Sequence, residues 1–193
     1  MSDQSLAADF FDRLYQADPD PWGFETSPYE AAKYAATLAA LPHQRYRSAF
    51  EIGGSIGVLT ERLAHRCDAL LSVDISAVAQ ARARQRCQHL PLVGLELMSV
   101  PQQYPDRHFD LVLLSEVGYY WCWADLYLAQ TKIYASLLPG GHLLLVHWLH
   151  EAPSYPLRGD DVHDAFQRFA ASRLIHRVGQ RTADYRLDLY ERP

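Results

Sequence analysis

Cysteine is scarce in this 193-residue chain. The three present, Cys67, Cys87 and Cys122, are odd in number and lack metal-ligand or redox spacing, which excludes a disulfide scaffold and fits reduced, buried thiols. Long apolar runs are missing as well: none approaches the ~18 residues that would cross a bilayer. The opening Met-Ser-Asp-Gln lacks the basic-then-apolar pattern of a signal peptide, so the expectation is a soluble, cytoplasmic protein with no membrane partner. Positive charge is not in excess, with 18 Lys and Arg against 23 Asp and Glu and a net charge of -5. No global basic field therefore favours a nucleic-acid backbone, and small molecules or other proteins are the expected partners, for a monomer or homodimer. Repeats and low-complexity tracts are absent, and proline clusters only at Asp18-Pro19-Asp20-Pro21-Trp22 and around Pro153 and Pro156. No internal boundary is drawn, and residues 1–193 read as one domain. What is present is a globular balance, 49% hydrophobic and 21% charged, sufficient for a sizeable core.

Short apolar runs alternate with longer helical patterns. Ala49 to Ile52, Ala69 to Val73, Leu92 to Met98, Phe109 to Leu114 and His142 to Trp148 read as strands, and this alternation predicts a parallel sheet with crossover helices. Ile56, Leu59 and Leu63 fall on one helical face, as do Leu126, Ala129, Ile133 and Leu137. The second of these helices is expected to stop at Leu138-Pro139-Gly140-Gly141. Leu6 to Tyr15 and Tyr29 to Leu41 predict two helices before the first strand. A helix from about Asp161 to Ala171 is followed by Leu174 to Val178 and Tyr185 to Tyr190, a hairpin that adds an antiparallel strand to the sheet.

The sharpest motif is Phe50-Glu51-Ile52-Gly53-Gly54-Ser55-Ile56-Gly57 at the carboxyl end of the first strand, where open α/β sheets bind ligands. A dinucleotide-binding turn would read Gly-x-Gly-x-x-Gly and receive a pyrophosphate. Glu51 ahead of these glycines disfavours a phosphate and suits a cationic group such as an α-ammonium; the alternative is a plain tight turn. Asp74, ending the second strand in Leu71-Ser72-Val73-Asp74-Ile75-Ser76, can accept both hydroxyls of a ribose. It can also cap the helix starting near Ala77, as can Ser76.

At these residues the chain resembles the class I S-adenosylmethionine (SAM)-dependent methyltransferases. The likeness continues in order: Phe109-Asp110-Leu111-Val112-Leu113-Leu114-Ser115-Glu116 is similar to that family's fourth strand, and Leu138-Pro139-Gly140-Gly141-His142 to the turn into its fifth. Together these cover about Phe50 to Trp148. Within the family, Asp18-Pro19-Asp20-Pro21-Trp22, Tyr29-Glu30 with Lys33, and Glu116-Val117-Gly118-Tyr119-Tyr120 resemble the small-molecule enzymes related to nodulation protein S, an N-methyltransferase of chitooligosaccharides. The resemblance implies a three-layer αβα Rossmann-like fold. Its sheet is seven-stranded and mostly parallel in the order 3-2-1-4-5-7-6, with an antiparallel last strand, and residues 1–42 form a helical lid segment before a core at 43–193. SAM is the implied cofactor and S-adenosylhomocysteine its product. Glu51, Gly53, Gly54, Ser55 and Gly57 shape the methionine pocket, Asp74 holds the ribose, Ile75 packs on adenine, and Ser99, Val100 and Ser115 complete the site. Two positions depart from the pattern: Ser55 replaces the usual central glycine, and Ser99 stands where many members carry an Asp for the adenine amino group, leaving that recognition to backbone contacts.

Methyl transfer from a sulfonium is an in-line displacement, so the protein must mainly hold the acceptor lone pair opposite the sulfur. An amine must be neutral, and a hydroxyl needs a general base. Glu116 is the first candidate, beside Tyr119, Tyr120 and Trp121, where a carboxylate and aromatic faces suit a cationic or sugar-like acceptor. Alternatively Glu116 bonds backbone or cofactor and the aromatics are core. His147 is a candidate base with Trp148 as an acceptor contact, and His150, Asp160, Asp161 and His163 follow. The His147 and His150 spacing is weak metal geometry, and no metal is expected. Arg82, Arg84 and Arg86 read as a solvated helix face, not a nucleic-acid site. Trp22 and Lys33 are lid candidates, the indole covering the cofactor and the ammonium pairing with its carboxylate; otherwise Trp22 is an anchor and Lys33 lies in solvent. These features favour a SAM-dependent methyltransferase acting on an amine, or a hydroxyl, of a small molecule such as a sugar or secondary metabolite. A non-catalytic SAM-binding module and an NAD-dependent oxidoreductase are the rivals; Glu51 and the terminal hairpin count against the second.

Overall fold

The computed structural model describes residues 4–193. The reading drawn from Met1, Ser2 and Asp3 lies outside them. Contacts gather into two compact units, residues 7–99 and residues 100–193 together with the N-terminal residues through Leu6.

The 7–99 unit runs α1 (Ala8–Ala17), α2 (Pro28–Ala39), β1 (Ala49–Ile52), α3 (Val58–Ala64), β2 (Leu70–Asp74), α4 (Ala77–Cys87) and β3 (Val93–Leu97). Helix α2 starts as its sequence demands, with Pro28 in its first turn and the Ser27 hydroxyl accepting the Glu30 N–H at 3.3 Å. Strands β1 and β2 pair in parallel from Ala49 with Leu70 to Ile52 with Val73, and β3 lies on the other side of β2. All four residues of β1 are buried, Glu51 among them. Helix α3 begins at Val58, so Ile56 precedes the helix on which its spacing had placed it.

The second unit contains β4 (Phe109–Ser115), a 3-10 turn at Gly118–Tyr120, α5 (Trp123–Ser136), β5 (Leu137–Trp148), α6 (Gly159–Ala170), β6 (Ile175–Arg181) and β7 (Tyr185–Glu191). Strands β4 and β5 are parallel, whereas β7 runs antiparallel to both β5 and β6. The expected terminal hairpin is thus present. Leu126, Ala129 and Ile133 form the buried stripe of α5. The helix ends at Ser136, directly ahead of the expected stop at Leu138-Pro139-Gly140-Gly141; the correction is to the strand, since β5 starts at Leu137 and not at His142 and takes in these residues. Leu137 pairs with Phe109, and the Gly140 N–H donates to the Arg192 carbonyl at 2.7 Å, so strand pairing claims the segment that local turn signals assign to a cap.

The seven strands follow the order β3-β2-β1-β4-β5-β7-β6. This is the order expected of the Rossmann-like α/β fold. Among the described residues no helix is long and apolar enough to cross a membrane.

Candidate functional site

In the 7–99 unit, β1 delivers the chain into the Gly53 to Gly57 loop at its carboxyl end. Gly57 adopts φ 84, a left-handed conformation that L side chains rarely take. Gly54 is required for space, since a Cβ there would lie 2.0 Å from the Ser72 Oγ. Between them Ser55 sits at φ 51, an unusual conformation for a residue with a side chain. Two bonds hold it: its N–H donates to Asp74 Oδ2 at 2.8 Å, and its hydroxyl pairs with that of Tyr15. Tyr15 is buried, and burial, reinforced by Asp74, keeps it a phenol.

Asp74 ends β2 with Oδ1 accepting the Ser76 N–H at 2.8 Å. A carboxylate offers about four lone-pair sites. The group therefore keeps acceptor capacity beyond its backbone donors. Burial pushes its carboxyl up to about 6, opposed by the N–H groups of Ser76, Ser55 and Ile75. Ser76, not Asp74, caps α4: its Oγ accepts the Ala79 N–H at 3.1 Å and donates to Asp12 at 2.6 Å. Ile75 and Ser99 are half-buried, and the Met98 N–H, bonded to the Asp74 carbonyl at 2.9 Å, brings the end of β3 beside Asp74.

Glu51 is turned inward. Its side chain is buried, and Oε2 accepts the Thr60 hydroxyl at 2.5 Å. Burial raises its carboxyl, opposed by hydrogen bonds from Thr60 and Ser72. The carboxylate that the sequence offers to an ammonium thus ties the loop to α3 and β2. Lys33 is also buried, with Nζ 2.9 Å from Glu30 Oε1 and 5.0 Å from the Tyr29 ring centroid, which rules out the alternative that leaves it in solvent. Trp22 is half-buried, edge-on to Tyr15 at 5.5 Å and stacked on Phe24 at 5.6 Å. The arginines of α4 lie off its buried face, and each reaches a backbone carbonyl: Arg82 donates to that of Pro19 at 2.8 Å, Arg84 to that of Leu95 at 3.0 Å and Arg86 to that of Ile56 at 3.0 Å. Guanidinium forks satisfy backbone acceptors that the spacing of three arginines does not reveal.

In the second unit, Glu116 follows β4 at φ 60. Its Oε2 accepts the Tyr119 hydroxyl at 2.5 Å and the Trp148 N–H at 2.9 Å. Burial and the Glu116 charge hold the Tyr119 phenol well above its ordinary value, so it remains the donor. Tyr155 stacks on Tyr119 at 5.4 Å, and Tyr120 lies edge-on to each at 4.7 Å. A groove of about 470 Å³ is lined in part by Trp123, Glu151, Tyr155, Leu157, Arg158 and Asp161. Ser115 and Val100 are buried, and the Trp148 ring leans on His150 at 5.0 Å. His150 itself pairs with Asp184 at 2.8 Å. Among the described residues no group of three or more His, Cys, Asp and Glu has the arrangement of a metal site.

His147 is fully buried. Its Nε2 accepts the Gly118 N–H at 3.1 Å, and its Nδ1 lies 3.1 Å from His163 Nε2. The ring expected to serve as a base thus has both nitrogens engaged by the protein. Sequence reasoning missed Tyr15, Thr60, Asp12, Tyr155 and Asp188. Only Ser55 at a customary glycine position hinted at one of them, since a left-handed serine invites a second support.

A family model described as Nodulation protein S (NodS) matches residues 4–144. The chain is 32% identical over 130 residues to Nodulation protein S of Rhizobium tropici, covering 66% of this chain and 55% of that protein. It is 30% identical over 132 residues to Nodulation protein S of Sinorhizobium fredii, covering 66% and 60%. The matched part is therefore little more than half the length of these curated relatives. Among solved structures, N-methyltransferase NodS from Bradyrhizobium japonicum in complex with S-adenosylhomocysteine shares the fold with a TM-score of 0.82, at 23% identity and with 96% and 98% of the two chains covered.

Proposed function

Because the chain belongs to the Nodulation protein S family, we propose that it is a SAM-dependent methyltransferase acting on an amine of a small molecule, with residues 1–193 serving as one methyltransferase domain. The observation that carries this reading is Asp74: a carboxylate at the end of β2, bonded to the Ser55 and Ser76 N–H groups at 2.8 Å and retaining acceptor capacity for ribose hydroxyls. An N-methyltransferase with S-adenosylhomocysteine among its structural neighbours supports the cofactor and favours an amine over a hydroxyl.

Bound SAM supplies a methyl group on a positively charged sulfur, an electrophile with a neutral leaving group. The chain's own residues provide placement. Gly53, Gly54, Ser55 and Gly57 let backbone approach the methionine portion, Asp74 accepts the ribose hydroxyls, and Ile75 and Ser99 flank the remainder. Glu51 contributes by holding the loop through Thr60. Trp22 shields the site from water, and Lys33, joined to Glu30, stiffens α2. On the acceptor side, Glu116 accepts an N–H of the amine, which directs the nitrogen lone pair away from the carboxylate and gives the proton a destination after transfer. Tyr119 fixes the carboxylate, while the faces of Tyr120 and Trp148 suit a cationic or sugar-like acceptor.

The decisive experiment is calorimetric titration with S-adenosylhomocysteine, with NAD in a parallel cell and Asp74→Ala as control. Micromolar binding of the first ligand alone, lost in the variant, is expected. Silence for S-adenosylhomocysteine from folded protein ends the reading, and a response to NAD replaces it with hydride chemistry. Methyl transfer from labelled SAM to a panel of amines and hydroxy compounds then assigns the acceptor atom; binding without turnover on any of them would leave a SAM-binding module.

A further inference from the structure

The second unit contains a buried chain of titratable groups that the proposed transfer does not use. His147 on β5 and His163 on α6 are both 0% exposed, and Asp188 on β7 is 3% exposed. One fixed donor sets their order. The Gly118 backbone N–H, 3.1 Å from His147 Nε2, can only donate, so Nε2 carries the lone pair and the proton of the neutral ring sits on Nδ1. That Nδ1–H points at His163 Nε2, 3.1 Å away, which must accept. The His163 proton is then on Nδ1, 2.6 Å from Asp188 Oδ2. A single backbone amide thereby dictates two tautomers, and the chain ends on a carboxylate.

That carboxylate is well supplied with donors. Oδ2 also accepts Arg186 Nε at 2.9 Å, and Oδ1 faces His176 Nε2 at 2.7 Å. Burial by itself would push the Asp188 carboxyl up, but the His163 hydrogen bond and the Arg186 guanidinium bring it below its ordinary value. Burial holds His163 below the usual histidine range, against the opposing pull of Asp188. A neutral relay ending on an ionised carboxylate is the consistent state.

The relay reaches the acceptor side through one turn. Gly118 opens the segment carrying Tyr119 and Tyr120, and a Cβ on it would lie 2.6 Å from Val162 Cγ1 and 3.0 Å from His147 Nε2, so the turn is seated directly on the histidine. Tyr119 in turn donates to Glu116. We propose that His147, His163 and Asp188 form a positioning relay, which fixes the His147 tautomer that accepts the Gly118 N–H and so holds Tyr119 and Glu116 in one geometry. His147 is a positioning residue and not the general base its place at the end of β5 suggests. The benefit to catalysis rests on the assignment of Glu116 to the acceptor; the tautomer chain does not.

The test uses the full chain with neither cofactor nor acceptor. Imidazole 15N spectra of histidine-labelled protein near neutral pH should show Nδ1 protonated and Nε2 bare in both His147 and His163. His147→Gln keeps an oxygen near the place of Nε2 and hence an acceptor for Gly118, whereas His147→Asn does not reach it. Exchange of the Gly118 amide should accelerate about tenfold in the Asn variant and stay within about twofold of the parent in the Gln variant. Equal acceleration in both, or an Nε2-protonated His147 in the parent protein, overturns the proposal. Should neither variant fold, the parent spectrum alone decides. A failed S-adenosylhomocysteine titration would remove the methyltransferase reading while leaving these outcomes intact.

Discussion

Residue 54 tolerates no side chain, because the first atom added would fall 2.0 Å from the Ser72 Oγ, itself beside the Thr60 hydroxyl at 3.3 Å. Gly54→Ala should cost about 1–3 kcal/mol as an overpacked core does, read as a lower urea midpoint; an unchanged midpoint would mean that Ser72 yields freely. Asp74 makes a pH-dependent prediction. With its carboxyl pushed up to about 6, affinity for S-adenosylhomocysteine should rise with pH through that value and level off above it. Asp74→Asn should remove the dependence. Stability has the opposite sign: because the folded-state value exceeds the ordinary one near ~3.9, this group's contribution is present in acid and is lost as pH rises through about 6. For Glu116→Gln, turnover should fall about a hundredfold with cofactor affinity retained. Loss of cofactor binding instead would move Glu116 out of the acceptor role. Asp74 and Glu116 could be singled out in the sequence because each stands at the carboxyl end of an apolar strand run, where open α/β sheets bind ligands. Thr60, Tyr15 and Asp188 could not, since they meet their partners across 9, 40 and 25 residues of chain.

At the scale of elements, α4 begins where its cap says it should. Ser76→Ala removes both the bond to the Ala79 N–H and the one to Asp12, and should cost about 1–2 kcal/mol in denaturant titration. A cost near zero would show that Asp74 takes over the cap. At the boundary between α5 and β5 the local signals end the helix, and strand pairing takes the residues that follow. Proline and two glycines describe a helix stop, yet the bonds of Leu137 with Phe109 and of Gly140 with Arg192 draw the same residues into a strand. Helix α4 makes the complementary point: its three arginines lie off the buried face, as their spacing indicates, but the carbonyls they reach are fixed only in space.

For the whole molecule, a ligand that binds only the folded chain must stabilise it by mass action. S-adenosylhomocysteine at a hundredfold excess over its Kd should add about 2.7 kcal/mol to unfolding, and the midpoint should climb with ligand concentration. An unmoved midpoint would contradict binding. The sequence by itself determined the alternation of strands and helices and the terminal hairpin, because apolar periodicity is local in the chain and passes directly into a sheet, while the strand order came with the family resemblance that the strand-end motifs carry. Only the tertiary structure decided how the polar groups are used: Glu51 bonded to Thr60, and His147 locked between Gly118 and His163. The reason is physical. A buried donor or acceptor must find a partner wherever the fold brings one within about 3 Å, and sequence spacing does not encode which distant residue that will be.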